Sequence, residues 1–182
     1  MKKGVVVSLL SVALVGIIFA QGQKKKSSAG HATATVSPEI SDAAKAAAVP
    51  VDQCDAELWN HVYHKARLHV VQKCIEVTGV IHHTKKENDG DDHIQLTLDP
   101  KFEALLNERN NAIQAGSLVI EPVCQGPVTQ ADAVASCRDF HSPVTVPARG
   151  TKVRVVGSFV LDTEPDHGWT EIHPVSKMET VQ

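Results

Sequence analysis

The alternation of apolar and polar residues predicts a chain built mainly of β-strands. Residues 68–83 form the longest such segment, and every second residue within 75–81 is apolar or glycine. A polar turn over 85–91 that contains Asp-Gly leads into 93–98, where the alternation resumes. We therefore expect a hairpin of two strands. Gly79, in the middle of the first strand, predicts a bulge or a sharp bend.

Three more strands and several helical segments complete the predicted order. The strands cover 117–123, 151–161 and 169–175. A short helix and loop over 100–115 precedes the first of them. The segment 125–148 is long for a connection in a compact domain, so we expect an elaborated loop with a short helix near 130–135.

An amphipathic helix is predicted at the start of the domain. Apolar residues recur at helical spacing within 55–67, from Leu58 and Trp59 to Val62. This helix would cover one face of the sheet as a lid.

The predicted fold class is mainly β. Five strands, the first of them bent, with an insertion between the third and fourth, resemble the OB-fold across residues 68–175. The resemblance implies a five-stranded OB-like Greek-key barrel with a short N-terminal helix and an elaborated β3–β4 loop.

The N-terminal third divides into a leader and a linker. Two lysines followed by an apolar run, within residues 1–20, are typical of a signal peptide, with an uncleaved N-terminal anchor as the alternative. Residues 21–50 contain almost no large apolar side chains, which predicts a flexible linker. The domain proper is assigned to residues 51–182. Either interpretation of the leader predicts a secreted, periplasmic or otherwise extracytoplasmic domain. If the leader is not cleaved, it would tether the domain to the membrane.

The charge distribution disfavours nucleic acid as a partner. Residues 31–182 contain 13 lysines and arginines against 21 aspartates and glutamates, a net charge of −8. A domain of that charge repels a phosphate backbone.

An even number of cysteines in an exported chain indicates disulfides. The four are Cys54, Cys74, Cys124 and Cys137, and three pairings are open. We expect Cys54 to pair with Cys74 and Cys124 with Cys137, because each pair closes a short loop. The spacing lacks the Cys-x-x-Cys pairs of a zinc finger.

Four runs of sequence carry a second resemblance. They are LWNHVY at 58–63, VTGV at 77–80, DGDDHI at 89–94 and DHGWTEIHPV at 166–175. The chain is similar in these runs to a group of small, mostly exported bacterial proteins without an assigned activity. The resemblance implies the fold and the compartment and supplies no function.

The candidate chemistry is concentrated in the last run. Alternate residues of a strand share a face, so Trp169, Glu171 and His173 should project together while Ile172 enters the core. With His93, which opens the second strand, they form the predicted ligand-binding patch. His93, His167, Glu171 and His173 form the predicted metal-ligand set, and ordinary histidine–carboxylate hydrogen bonding is the alternative.

Two weaker metal candidates lie elsewhere. The acidic turn 89–92 offers hard oxygen ligands for calcium but lacks the spacing of an EF-hand. His61 and His64 are three residues apart on the predicted lid helix, a spacing that places both on one face for a metal ion. The alternative is that they form a solvated helix face.

The sequence favours a non-catalytic extracytoplasmic module that binds an oligosaccharide, a peptide or a protein partner, with no cofactor and no membrane contact beyond the N-terminal anchor. A metal-binding protein or metal-dependent hydrolase, using a divalent ion, is the first alternative. A structural envelope component is the second.

Overall fold

The computed structural model describes residues 40–182. The predicted leader at 1–20 and most of the predicted linker lie outside the described residues. Helix α1, Asp42–Ala47, comes first, and the hydroxyl of Ser41 caps it by accepting a hydrogen bond from the backbone of Ala44.

Five strands form a single mixed sheet, so the mainly β prediction is confirmed. The strands are β1 (Leu68–Lys86), β2 (Asp92–Leu98), β3 (Leu118–Ile120), β4 (Lys152–Asp162) and β5 (Thr170–Thr180). Their order is β1-β2-β3-β5-β4, and β1 also pairs with β4, so the sheet closes on itself. The β3–β5 pair is parallel and the other four pairs are antiparallel.

Short helices connect these strands. Helix α2 (Glu108–Ile113) precedes β3, and a 3-10 helix at Pro100–Leu105 precedes α2. Two further 3-10 helices, Ala56–His61 and Lys65–Arg67, lead into β1. No helix among residues 40–182 is long and apolar enough to cross a membrane.

The core has two parts. The larger cluster includes Ile75, Ile94, Leu118, Phe159 and Ile172, which the five strands contribute. A smaller cluster joins Leu58 and Val62 of the N-terminal segment to Val123, Cys124 and Val160. Strands β4 and β5 are therefore covered on both faces, because the N-terminal segment and the β3–β4 connection pack on their outer side.

The predicted lid helix at 55–67 was wrong in type. Its residues form the two 3-10 helices, and His64 between them has a φ of 48°, a left-handed conformation that interrupts an α-helix. Leu58 and Val62 are nevertheless buried, as a lid requires.

The predicted linker extends too far toward the domain. Residues 42–47 are helical, Ala44 and Ala48 are buried, and Pro50 forms a β-bridge with Ile75. The packed side chains are alanines, whose small size allows the helix to lie close to residues 100–105 but gives a weak hydrophobic signal in the sequence.

Gly79 has a different role from the predicted bulge. The ladder from β1 to β2 is regular at Gly79, and the irregularity lies between Ile81 and His83. A Cβ at residue 79 would lie 2.4 Å from the carbonyl oxygen of Thr97, so glycine is required by the close approach of β2. The helix predicted near 130–135 is also absent, and successive turns occupy 131–139.

Both predicted disulfides are present. Cys54 is bonded to Cys74 and Cys124 to Cys137, and the second bond closes the base of the β3–β4 connection. The described residues contain no free cysteine. Two disulfides indicate an oxidising, extracytoplasmic environment.

Candidate functional site

A buried group of charged side chains lies where three strands meet. Asp91 directly precedes β2, Glu121 directly follows β3, and His173 is on β5. Because β3 pairs with both β2 and β5, the topology brings these three residues together. All three are less than 10% exposed, and His173 is fully buried.

Glu121 bridges two imidazole rings. One of its oxygens, Oε1, accepts a hydrogen bond from Nδ1 of His93 at 2.8 Å, and the other, Oε2, lies 2.9 Å from Nδ1 of His173. Nε2 of His93 faces Oε1 of Gln114 at 3.1 Å. Both ring nitrogens of His93 thus face acceptors.

Glu171 forms the other side of the network. Its Oε1 lies 3.1 Å from Nδ1 of His173, and its Oε2 accepts a hydrogen bond from the indole of Trp169 at 2.8 Å. Trp169, Glu171 and His173 therefore lie side by side, as the strand alternation predicts. All three side chains are buried, and of the three only Trp169 reaches the wall of an open cavity.

The contacts within the network shift the pKa values of its members. Burial disfavours a charged imidazole, but the charge of Glu121 and the hydrogen bond to it outweigh burial and raise the pKa of His173 to about 10. Burial is outweighed in the same way at His93, where the hydrogen bond to Glu121 raises the pKa to about 9. Burial also opposes ionisation of Glu121, yet His173 and His93 hold the pKa of Glu121 well below its ordinary value.

The pKa values of the other two carboxyl groups, those of Asp91 and Glu171, are raised. Burial raises the pKa of Asp91 to about 7, against the charge of His173. Burial, reinforced by the charge of Glu121, raises the pKa of Glu171. At neutral pH, two protonated imidazoles therefore surround one firmly ionised carboxylate, Glu121.

Two atoms of the group lack a hydrogen-bond partner. They are Oδ2 of Asp91 and Nε2 of His173, both buried and 3.6 Å apart. The other oxygen of Asp91, Oδ1, accepts a hydrogen bond from the backbone of Cys124 at 2.7 Å. One ligand atom each from Asp91, Glu121 and His173 lies within 4.8 Å of the others. Asp91 also lies near Cys124 and Cys137, but their sulfurs are joined to each other and offer no thiolate.

A second charged group lies beside the first. The carboxylate of Asp162, which is buried, accepts hydrogen bonds from Arg67 and from Nδ1 of His167. The ring of His167 stacks on that of Trp169 with centroids 4.1 Å apart. Trp169 therefore contacts both groups through its ring and its indole nitrogen.

A cavity of about 520 Å³ opens over these groups. Glu121, His93, Trp169, Arg67 and His167 line it, together with the β1–β2 turn. Amide side chains supply much of the rest of its wall, namely Asn88, Gln95, Gln114 and Gln130.

The structure brings only some of the predicted site residues together. His93, Glu171 and His173 belong to one network, but His167 lies with Asp162, so the four predicted metal ligands do not converge on one point. The two weaker candidates separate as well. In the acidic turn, Asp92 pairs with Lys86 and not with the group around Asp91.

His61 and His64 also have different partners. His61 stacks on Phe140 and contacts the backbone oxygen of Ser136, whereas His64 stacks on Tyr63.

Sequence reasoning missed Glu121 as a site residue. A lone acid at the end of the apolar run 118–123 was the available signal for it. Asp91 was considered only as part of the acidic turn 89–92, and nothing in the sequence joined it to His173, because aspartate is ordinary in a hairpin turn. Compared with family models, curated proteins and solved structures, the chain gave no significant match.

Proposed function

We propose that this chain is an exported, non-catalytic OB-like module that binds a small polar ligand in the cavity beside Trp169. The strand order β1-β2-β3-β5-β4, with β3 parallel to β5, supports an OB-like Greek-key barrel. In that fold the face of strands 2 and 3 and the loops between strands 1 and 2 and between strands 4 and 5 bind ligands.

The position of the cavity is the observation that carries the proposal. His93 and Gln95 come from β2, Asn88 and Asp89 from the β1–β2 turn, and His167 from the β4–β5 loop. These are the three regions through which OB domains bind oligonucleotides and oligosaccharides. The acidic charge of the domain disfavours the oligonucleotide.

The lining favours a ligand with hydroxyl and amide groups, such as an oligosaccharide. Several side-chain amides face the cavity, and each offers both a donor and an acceptor. A volume of about 520 Å³ lies within the usual range for small-ligand pockets.

The hydrogen bonding favours binding over catalysis. Because both nitrogens of His93 face acceptors, its imidazole is protonated and has no lone pair with which to remove a proton from a substrate.

The test is an NMR titration of the exported, oxidised protein with neutral oligosaccharides of glucose and of N-acetylglucosamine. We expect amide shifts in residues 85–95 and 163–169, and at least tenfold weaker binding in Gln95→Ala. The matched control is Gln72→Ala on β1, which does not line the cavity and should bind normally. Shifts confined to other surfaces, or equal effects of both variants, would refute the site.

A further inference from the structure

We propose that Asp91, Glu121 and His173 form a binding site for one divalent transition-metal ion, with zinc as the best fit. The site lies beneath the cavity and does not depend on the ligand proposed for it. It also differs from the set that the sequence predicted, since Asp91 and Glu121 replace His93, His167 and Glu171.

The two unpartnered atoms point to an ion. Oδ2 of Asp91 and Nε2 of His173 face each other in a buried place at 3.6 Å, which is longer than an ordinary N–H···O hydrogen bond. Two ligands of one tetrahedral zinc ion, bonded at their usual lengths, are about 3.4 Å apart. A zinc ion that takes the place of the proton on Nε2 would lie between the two atoms and satisfy both, and its binding would release that proton.

The surroundings of these atoms match those of metal ligands. A histidine that binds a metal usually gives its other ring N–H to a carboxylate, which fixes the ring. Nδ1 of His173 hydrogen-bonds to Oε1 of Glu171 at 3.1 Å, so Glu171 is the carboxylate that would fix the ring. The backbone of Cys124 holds the other oxygen of Asp91.

Glu121 completes the set and connects it to solvent. One of its oxygens is within 4.8 Å of the ligand atoms of Asp91 and His173. Glu121 also lines the cavity, which provides a path for an ion to the buried site.

The donor atoms select the class of ion. One imidazole nitrogen with two carboxylate oxygens suits zinc or manganese, whereas calcium prefers oxygen ligands alone. Three buried carboxyl groups, those of Asp91, Glu121 and Glu171, surround His173, and the double positive charge of a bound ion would favour the ionised form of each.

Calorimetric titration with zinc chloride tests the proposal. The protein is produced with export, without a histidine tag, and is dialysed against EDTA. We expect one zinc ion per chain, a raised melting temperature with zinc, and weaker binding of manganese. Absence of tight binding, or tight binding of calcium alone, would overturn the assignment.

Isosteric variants locate the ion. Asp91→Asn removes the unpartnered oxygen but keeps the acceptor for Cys124, and should weaken zinc binding at least tenfold. Asp99→Asn, which removes a carboxylate paired with Lys152 and lies outside both the ligand set and the cavity, should bind as the wild type does. His173→Gln should also lose binding. If that variant does not fold, Asp91→Asn decides. Zinc that binds Asp91→Asn unchanged belongs to surface histidines and overturns the site.

Discussion

Replacing Glu121 by glutamine should strongly destabilise the domain. The carboxylate of Glu121 accepts a hydrogen bond from Nδ1 of His93 at Oε1, and its Oε2 forms an ion pair at 2.9 Å with Nδ1 of His173. Glutamine keeps one acceptor oxygen and turns an NH₂ group toward the other N–H. Removing one partner from a buried, charged network costs about 3–5 kcal/mol, because the remaining charges stay buried. In a domain of this size, that loss lowers the melting temperature by about 6–20 °C.

Urea and thermal unfolding of the oxidised protein in EDTA measure this loss without a contribution from a bound ion. The matched control is Glu87→Gln, which removes an exposed pair with Lys85 and should cost less than about 1 kcal/mol. A loss below about 1 kcal/mol for Glu121→Gln would refute the reasoning, since the network would then be dispensable for stability.

Three further changes probe the packing, the covalent structure and the charges. Gly157→Ala should cost at least about 1–3 kcal/mol in urea unfolding, because the new Cβ would lie 2.4 Å from the side chain of Ile172. Replacing Cys124 and Cys137 by serine should cost about 3 kcal/mol by the same measurement, because the bond closes a short loop. His93 has a folded pKa of about 9, above the roughly 6.5 of an unfolded chain. The stability that it contributes should be complete below pH 6.5 and fall as the pH rises through 9.

Each of these has a contrary outcome. An unchanged midpoint for Gly157→Ala would mean that β4 and β5 can separate without cost. A serine pair as stable as the wild type would show that packing alone holds the β3–β4 connection. A His93→Gln variant whose stability falls between pH 7 and 10 as steeply as that of the wild type would assign the pH dependence to another group.

The strand pattern could be predicted because it depends on local alternation. Strand β2 shows this best, since Ile94, Leu96 and Leu98 are all buried, as a period of two requires. The disulfides followed from loop length and export. The 3-10 form of the lid segment and helix α1 could not be predicted from the sequence. Short helices owe their stability to packing, and a left-handed residue such as His64 has no reliable signature in the sequence.

The candidate site was likewise predictable in part. Alternation along β5 was enough to place Trp169, Glu171 and His173 on one face, because neighbouring residues of a strand point to opposite sides. Whether that face is covered, and which residues from other strands meet it, depends on contacts far apart in the chain. Asp91, Glu121 and His173 are 30 to 82 positions apart, and only the pairing of β3 with both β2 and β5 brings them together. The sequence by itself thus determined the strands, the disulfides and one face of β5. The closed sheet decided that this face is buried and charged, because strand pairing sets neighbours that local patterns do not record.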